Sequence, residues 1–249
     1  MYLCYGDDSI NNDIIAYAII GIKNDRVDKF INDYNELKKN YNLEKDTVLH
    51  CRELFHSSKR SKNYQLSKLT YDEVSQMCIE IIDLCCDHEL PRPILAYDLK
   101  KKYPNKFKRK QKFEDASMDE MQGLHLMKNT CLKTLYDQLG KNEENYRFFA
   151  DKVSPKDRIS KKAMAIGGRR KRNALPNFLL PPVMTNEAKH IRLREKKYEE
   201  AVFKEMYEVA DLLAYSSTKA LCTQLFQDKQ YFKDLLFKMN PIFVRFGDK

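Results

Sequence analysis

The sequence predicts an α/β protein built on a mixed sheet flanked by helices. Three observations carry this. Two apolar, strand-like segments near the N-terminus lie one short turn apart, as in a hairpin. Later strand-like segments, Ile94–Asp98 and Tyr146–Val153, are separated by stretches with helical apolar spacing. Strands that alternate with helices pack into one sheet covered by those helices.

Each element follows from local pattern. Residues 1–7 carry little polarity, as a central strand should. Gly6, Asp7, Asp8, Ser9 and Asn11-Asn12 supply turn residues, and Asp13–Lys23 is a second strand. Phe30, Ile31, Tyr34 and Leu37 mark a helix over Asp28–Tyr41. Thr47–Leu54 is predicted as a third strand carrying His50, and Ser57–Ser67 as a polar loop. Thr70 opens a helix with Glu73 three residues on, a capping box. Its apolar face is Tyr71, Val74, Met77, Cys78, Ile81, Ile82 and Cys85, and Pro91 and Pro93 stop it before the Ile94 strand. Residues 99–115 form a basic loop. Ser117 caps a helix with Met121, Leu124, Met127, Cys131, Leu132 and Leu135 on one side, closed by Gly140. Residues 154–189, with Gly167-Gly168 and Pro181-Pro182, lack any sustained period and read as an irregular basic insertion. His190–Glu195 is a short strand, Glu199–Gln224 a helix, and residues 225–249 a short helix and tail. The whole of 1–249 is one domain. The order β-β-(α)-β-α-β-α-β-α is that of the ribonuclease H-like fold, in which the first strand is central and two later strands run parallel to it.

Composition narrows the function classes. With 15 Tyr, 13 Phe and 43% hydrophobic residues, the chain is predicted to fold rather than remain disordered. The longest apolar run, Ile14–Ile22, is far too short to span a membrane. The start of the chain lacks the basic-then-apolar order of a signal peptide. Seven cysteines, without paired spacing, fit free thiols in a reducing cytoplasm, the expected location. Net charge is +9 and unevenly spread. Residues 100–112 hold eight Lys/Arg and no acid, and residues 156–172 hold eight with only Asp157. The remaining 29 basic and 35 acidic residues leave the body at −6. Both runs begin just after an aspartate-ended strand. A solvated loop explains one such run. Two are better explained by a polyanion, so nucleic acid is the expected partner. Lys100, Lys101, Lys102, Lys108, Arg109 and Lys110 in the first run, and Arg169, Arg170, Lys171 and Arg172 in the second, are the expected phosphate contacts.

Carboxylates carry the chemistry. Asp7, Asp98 and Asp151 each end a strand-like segment, and Asp211 sits inside an apolar helical stretch. An aspartate has poor helix propensity and is costly when buried without a partner. Carboxylates that converge at the carboxyl ends of strands repel one another unless a cation lies between them. Hard oxygen ligands favour Mg²⁺ or Mn²⁺. A two-metal hydrolytic site would use Asp7, Asp151 and Asp211, with Asp98 or Asp8 completing the shell. His50 would move a proton or touch the scissile phosphate. The structural alternatives are a turn-capping Asp7, an Asp98 paired with Lys100–Lys102, and a packed core His50.

These residues resemble those of a family of bacterial ribonuclease H-like proteins of unknown function. That family carries an N-terminal Tyr-x-Asp-Glu-Ser-Gly, a Leu-His strand, strands ending in Asp-Leu-Lys and Ala-Asp, and a late Ala-Asp-Leu-x-Ala-Tyr helix. The matching stretches are Tyr5-Gly6-Asp7-Asp8-Ser9, Leu49-His50, Tyr97-Asp98-Leu99-Lys100, Phe149-Ala150-Asp151 and Ala210-Asp211-Leu212-Leu213-Ala214-Tyr215. Asp8 stands in place of Glu, Ile10 in place of Gly, and Tyr207 in place of a helix Gln. The resemblance implies a nuclease-like fold without an established substrate. Tyr5-Gly6-Asp7-Asp8 also imitates the Gly-Asp-Asp turn of RNA-dependent polymerases. Only six residues precede Asp7, so the upstream metal-binding motif that a polymerase needs has no room. The sequence therefore predicts a metal-dependent nuclease. The alternatives are a nucleic-acid-binding or protein-partner-binding chain without turnover, and a toxin or defence component that requires a partner chain.

Overall fold

A computed structural model of the chain describes residues 2–102, 118–139, 146–150, 183–184, 203–223 and 228–245. Strands β1 (Tyr2–Ile10) and β2 (Ile14–Lys23) form the predicted hairpin. Asn11 makes its turn: its side chain accepts the N–H groups of Asp13 and Ile14 at 2.8 and 2.7 Å. The sheet runs β5-β4-β1-β2-β3-β6, with β3 at Ile94–Leu99, β4 at Tyr146–Ala150, β5 at Val183–Met184 and β6 at Ile242–Arg245. β1–β2 and β2–β3 pair antiparallel, while β1–β4, β4–β5 and β3–β6 pair parallel. β2 is buried from Ile14 to Ile22 because helices cover both faces of the sheet.

Strand alternation sorts the core into two layers. Leu3, Tyr5, Ala18, Ile20 and Leu95 point to one face. Helices α1 (Val27–Asn40), α4 (Tyr71–Asp87), α6 (Lys204–Leu221) and α7 (Lys229–Lys238) form the layer on that face. Cys4, Ile15, Tyr17, Ile19 and Phe148 point to the other, under α5 (Met118–Leu139). The Thr70 capping box is present as predicted, with Thr70 Oγ1 accepting the Glu73 N–H and Glu73 accepting the Thr70 N–H. The predicted face of α4 is buried from Val74 to Cys85, and Tyr71 at its start is exposed.

Four local expectations are corrected. Thr47–Leu54 is not a strand: an extended segment through His50 leads into a short helix α2 (Cys51–Leu54). Ile94–Leu99 is therefore the third strand of the meander, separated from β1 by β2. The predicted polar loop contains a turn of helix, α3 (Ser57–Arg60), and a 3-10 turn at Leu66–Lys68. The tail supplies strand β6, and Val183–Met184 within the predicted irregular insertion pairs with Phe149–Ala150. Asp151, Lys108, Arg109, Lys110, Arg169, Arg170, Lys171, Arg172 and the 190–195 strand lie outside the described residues.

No helix among the described residues is long and apolar enough to cross a membrane. All seven cysteines are free, six buried and Cys86 exposed.

Gly6 is required by close approach. A Cβ there would lie 2.8 Å from the Tyr17 ring and 2.9 Å from that of Phe148, both buried. Gly6→Ala should destabilise the fold by about 1–3 kcal/mol, read as a lower urea midpoint with unchanged slope.

Candidate functional site

The site is assembled from β1, the extended segment before α2, and α6. Asp7 pairs in register with Ala18 and shares its face with Leu3 and Tyr5, the face on which α6 packs. Its Oδ1 accepts the Asp8 N–H at 2.8 Å. β1 runs on through Asp7 to Ile10 and the turn is made by Asn11, so Asp7 lies within the strand rather than at its end and does not cap the turn. Asp211, on α6, is only 7% exposed. Its Oδ2 is 2.7 Å from His50 Nδ1 and accepts the Cys51 N–H at 2.8 Å. Both Asp7 and Asp211 bear on the buried Cys51 thiol. Burial first, then Asp211, with a smaller contribution from Asp7, holds that thiol well above its ordinary range. Asp211 is in direct contact with the start of α2, and Asp7 lies on the sheet face that α6 covers.

His50 is neither a strand residue nor a packed core histidine. Its side chain is 53% exposed while its partner Asp211 is nearly enclosed. The hydrogen bond to Asp211 raises the imidazole pKa above 6.5, against the opposing effect of partial burial. One ring nitrogen is oriented by the carboxylate, and the exposed ring can meet a ligand. This is the arrangement of an oriented proton carrier.

The segment is held by a second carboxylate that sequence reasoning missed. Glu208 lies one helical turn before Asp211, so both project from one side of α6. Glu208 accepts the Leu49 N–H at 3.1 Å and the Tyr34 hydroxyl at 2.9 Å. Lys38 Nζ, fully buried, lies 2.9 Å from it and also donates to the Thr47 carbonyl at 2.7 Å. Residues 47–51 alternate buried and exposed, as a strand would. The Leu49 and Cys51 N–H groups nevertheless go to Glu208 and Asp211 side chains rather than to another strand. The signal that could have revealed Glu208 is a pair of acids three residues apart inside an apolar helix.

Asp8 and Asp98 do not join Asp7 and Asp211. Asp8 pairs with Tyr17 on the opposite face, where its charge acts on Lys128 of α5. Asp98 pairs with Ile15, also on that face, and is two strands from β1. It accepts the Leu99 N–H and pairs with Lys102 at 2.7 Å, which is its structural alternative. Of the first basic run, Lys100, Lys101 and Lys102 are described, and Lys102 is committed to that ion pair.

The donor set of Asp7 and Asp211 is hard oxygen, which suits Mg²⁺ or Mn²⁺. Among the described residues, no group of three His, Cys, Asp or Glu side chains is placed to hold a metal ion. Comparison with known proteins finds no matching family, no matching curated protein and no matching solved structure.

Proposed function

We propose that this chain is a ribonuclease H-like nuclease that hydrolyses phosphodiester bonds with Mg²⁺ or Mn²⁺. The observation that carries the reading is the oriented His50–Asp211 pair on the same sheet face as Asp7. The order β3-β2-β1-β4-β5, antiparallel on one side of β1 and parallel on the other, supports the fold assignment. Asp7 and Asp211 would hold the cation. Asp151, next in the chain after Ala150, is the proposed third ligand. When bound, the cation would activate water and stabilise charge on the leaving oxygen. Asp211 holds the His50 ring through Nδ1 and favours its protonated form. His50 then offers a proton, or positive charge, to the phosphate at the protein surface. The Lys38–Glu208–Tyr34 cluster keeps residues 47–51 against α6 and so fixes where that ring stands.

The pairing of Asp98 with Lys102, and the lack of a third ligating side chain among the described residues, favour a second reading, nucleic-acid binding without turnover. Labelled single-stranded and duplex DNA and RNA, incubated with Mn²⁺ or Mg²⁺ and then with EDTA, separate the two. Cleavage that EDTA abolishes is the expected result. Binding without cleavage under any cation supports the second reading and rejects the first.

A further inference from the structure

The stretch from Cys51 to Thr70, next to His50, presents an exposed basic surface. It carries Arg52, Lys59, Arg60, Lys62 and Lys68 against one acid, Glu53. Arg60 is used internally, donating to the Leu54 carbonyl. Arg52, Lys62 and Lys68 are exposed. The positive field extends to α6: after burial, the charges of Lys219, Lys59 and Arg52 all lower the His56 pKa. The helical turn α3 and the 3-10 turn hold these groups on a defined surface.

Tyr64 lies within this stretch, between Lys62 and Lys68 in the sequence. It is 76% exposed, the most exposed of the large hydrophobic side chains among the described residues. The backbone beneath it is not loose. Asn63 accepts the N–H groups of Gln65 and Leu66 at 3.2 and 3.4 Å and donates to Glu53 on α2 at 3.3 Å. Leu66, two residues on, is completely buried. Lys68 Nζ sits 4.3 Å from the centroid of the Tyr64 ring. An aromatic on a hydrogen-bonded turn, open to solvent and with the Lys68 ammonium over one face of its ring, has little to contribute to folding and keeps its other face for a ligand. It matches the surface that binds unpaired bases: a π-face for stacking and ammonium groups for the flanking phosphates.

We infer that Tyr64 is a stacking platform for a base of single-stranded nucleic acid, with Lys59, Lys62 and Lys68 on its phosphates and the strand running along α2 toward His50. This rests on the function proposed above and adds the strandedness of the substrate. A duplex buries its base faces in its own stack and cannot use the ring. The Asn63–Glu53 hydrogen bond ties the platform to the helix that begins immediately after His50, so platform and proton carrier share one support.

The test is fluorescence anisotropy of the full chain with a labelled mixed-sequence single strand and the matching duplex, in EDTA so that nothing is cleaved. The single strand is expected to bind more tightly than the duplex. Tyr64→Ala should weaken single-strand binding by roughly 5- to 100-fold and leave duplex binding unchanged. Tyr64→Phe keeps the ring and should bind as the wild type does. Lys59→Ala with Lys62→Ala should flatten the slope of log affinity against log salt by about 0.7 for each phosphate no longer neutralised. Wild-type binding that Tyr64→Ala leaves untouched overturns the platform while leaving the nuclease reading in place. A wild-type chain that binds neither strand nor duplex at low salt removes the nucleic-acid reading itself, and this inference with it. Tyr64 is so exposed that its replacement should not disturb folding, which a matching thermal melt confirms.

Discussion

Asp211→Asn is expected to reduce cation-dependent cleavage by about 10²- to 10⁴-fold, the range lost with an oriented acid–base group. Asparagine preserves the shape and can still accept the Cys51 N–H. It removes the negative charge that a cation needs and that favours the protonated form of His50. Two readouts should therefore move together. Turnover falls, and the His50 titration, followed by NMR in cation-free buffer, drops from its raised position toward the ordinary 6.5. Asp7→Asn should cost turnover comparably and move the His50 titration far less, because the hydrogen bond that raises it comes from Asp211. The pH dependence of stability follows the same logic. The folded-state pKa of His50 lies above its unfolded value. The pair's contribution is fully present below pH 6.5 and is lost as pH rises through the folded value. The melting difference between wild type and Asp211→Asn should narrow on going to alkaline pH. Full turnover in both variants would make the two carboxylates structural and overturn their assignment as cation ligands.

Lys38→Met is expected to destabilise the protein by about 3–5 kcal/mol, the cost of leaving one member of a buried ion pair alone. Lys38 is 0% exposed and Glu208 5%. Burial pushes the Glu208 carboxyl up and the Lys38 amine down, both against their mutual attraction. Desolvation therefore outweighs the attraction in this pair, and its net contribution to stability is small even though breaking it is costly. Methionine would leave the Glu208 charge with only the Tyr34 hydroxyl and the Leu49 N–H, and the Thr47 carbonyl without its ammonium. The double variant Lys38→Met with Glu208→Gln removes the charge and keeps an oxygen for the Leu49 N–H. It should recover most of the loss in urea denaturation. A single variant as stable as the wild type would mean that the pair does not hold residues 47–51 against α6.

Asp211 and Glu208 serve different parts of one construction. Asp211 acts on the ring of His50, and Glu208 acts on the backbone just before it. An aspartate and a glutamate three residues apart on α6 thus take the place of a neighbouring strand for residues 49–51. The replacement is chemically sound, because a carboxylate oxygen accepts a backbone N–H at least as well as a carbonyl does. It also explains how a residue on extended backbone remains open to solvent beside a sheet whose centre is enclosed.

Features that depend on short-range pattern were legible in the amino-acid order. The hairpin of β1 and β2, the Thr70 cap, the buried face of α4 and the place of Asp7 at the end of an apolar run are all local properties. So is the oddity of Asp211 in an apolar helix, which marks it before any partner is known. Which distant groups meet is settled instead by three-dimensional packing. Residues 47–51 have the alternation of a strand, but their hydrogen bonds go to acids about 160 positions away, which no local period encodes. Asp98 follows an apolar run as Asp7 does, and periodicity alone leaves its face open. Strand order and register, set by the insertion of β2 between β1 and β3, turn it to the opposite side and onto Lys102. The His50–Asp211 pair likewise exists because α6 packs across β1 and β2. Packing of apolar faces put that helix there, and so brought the carboxylates it carries against residues 49–51.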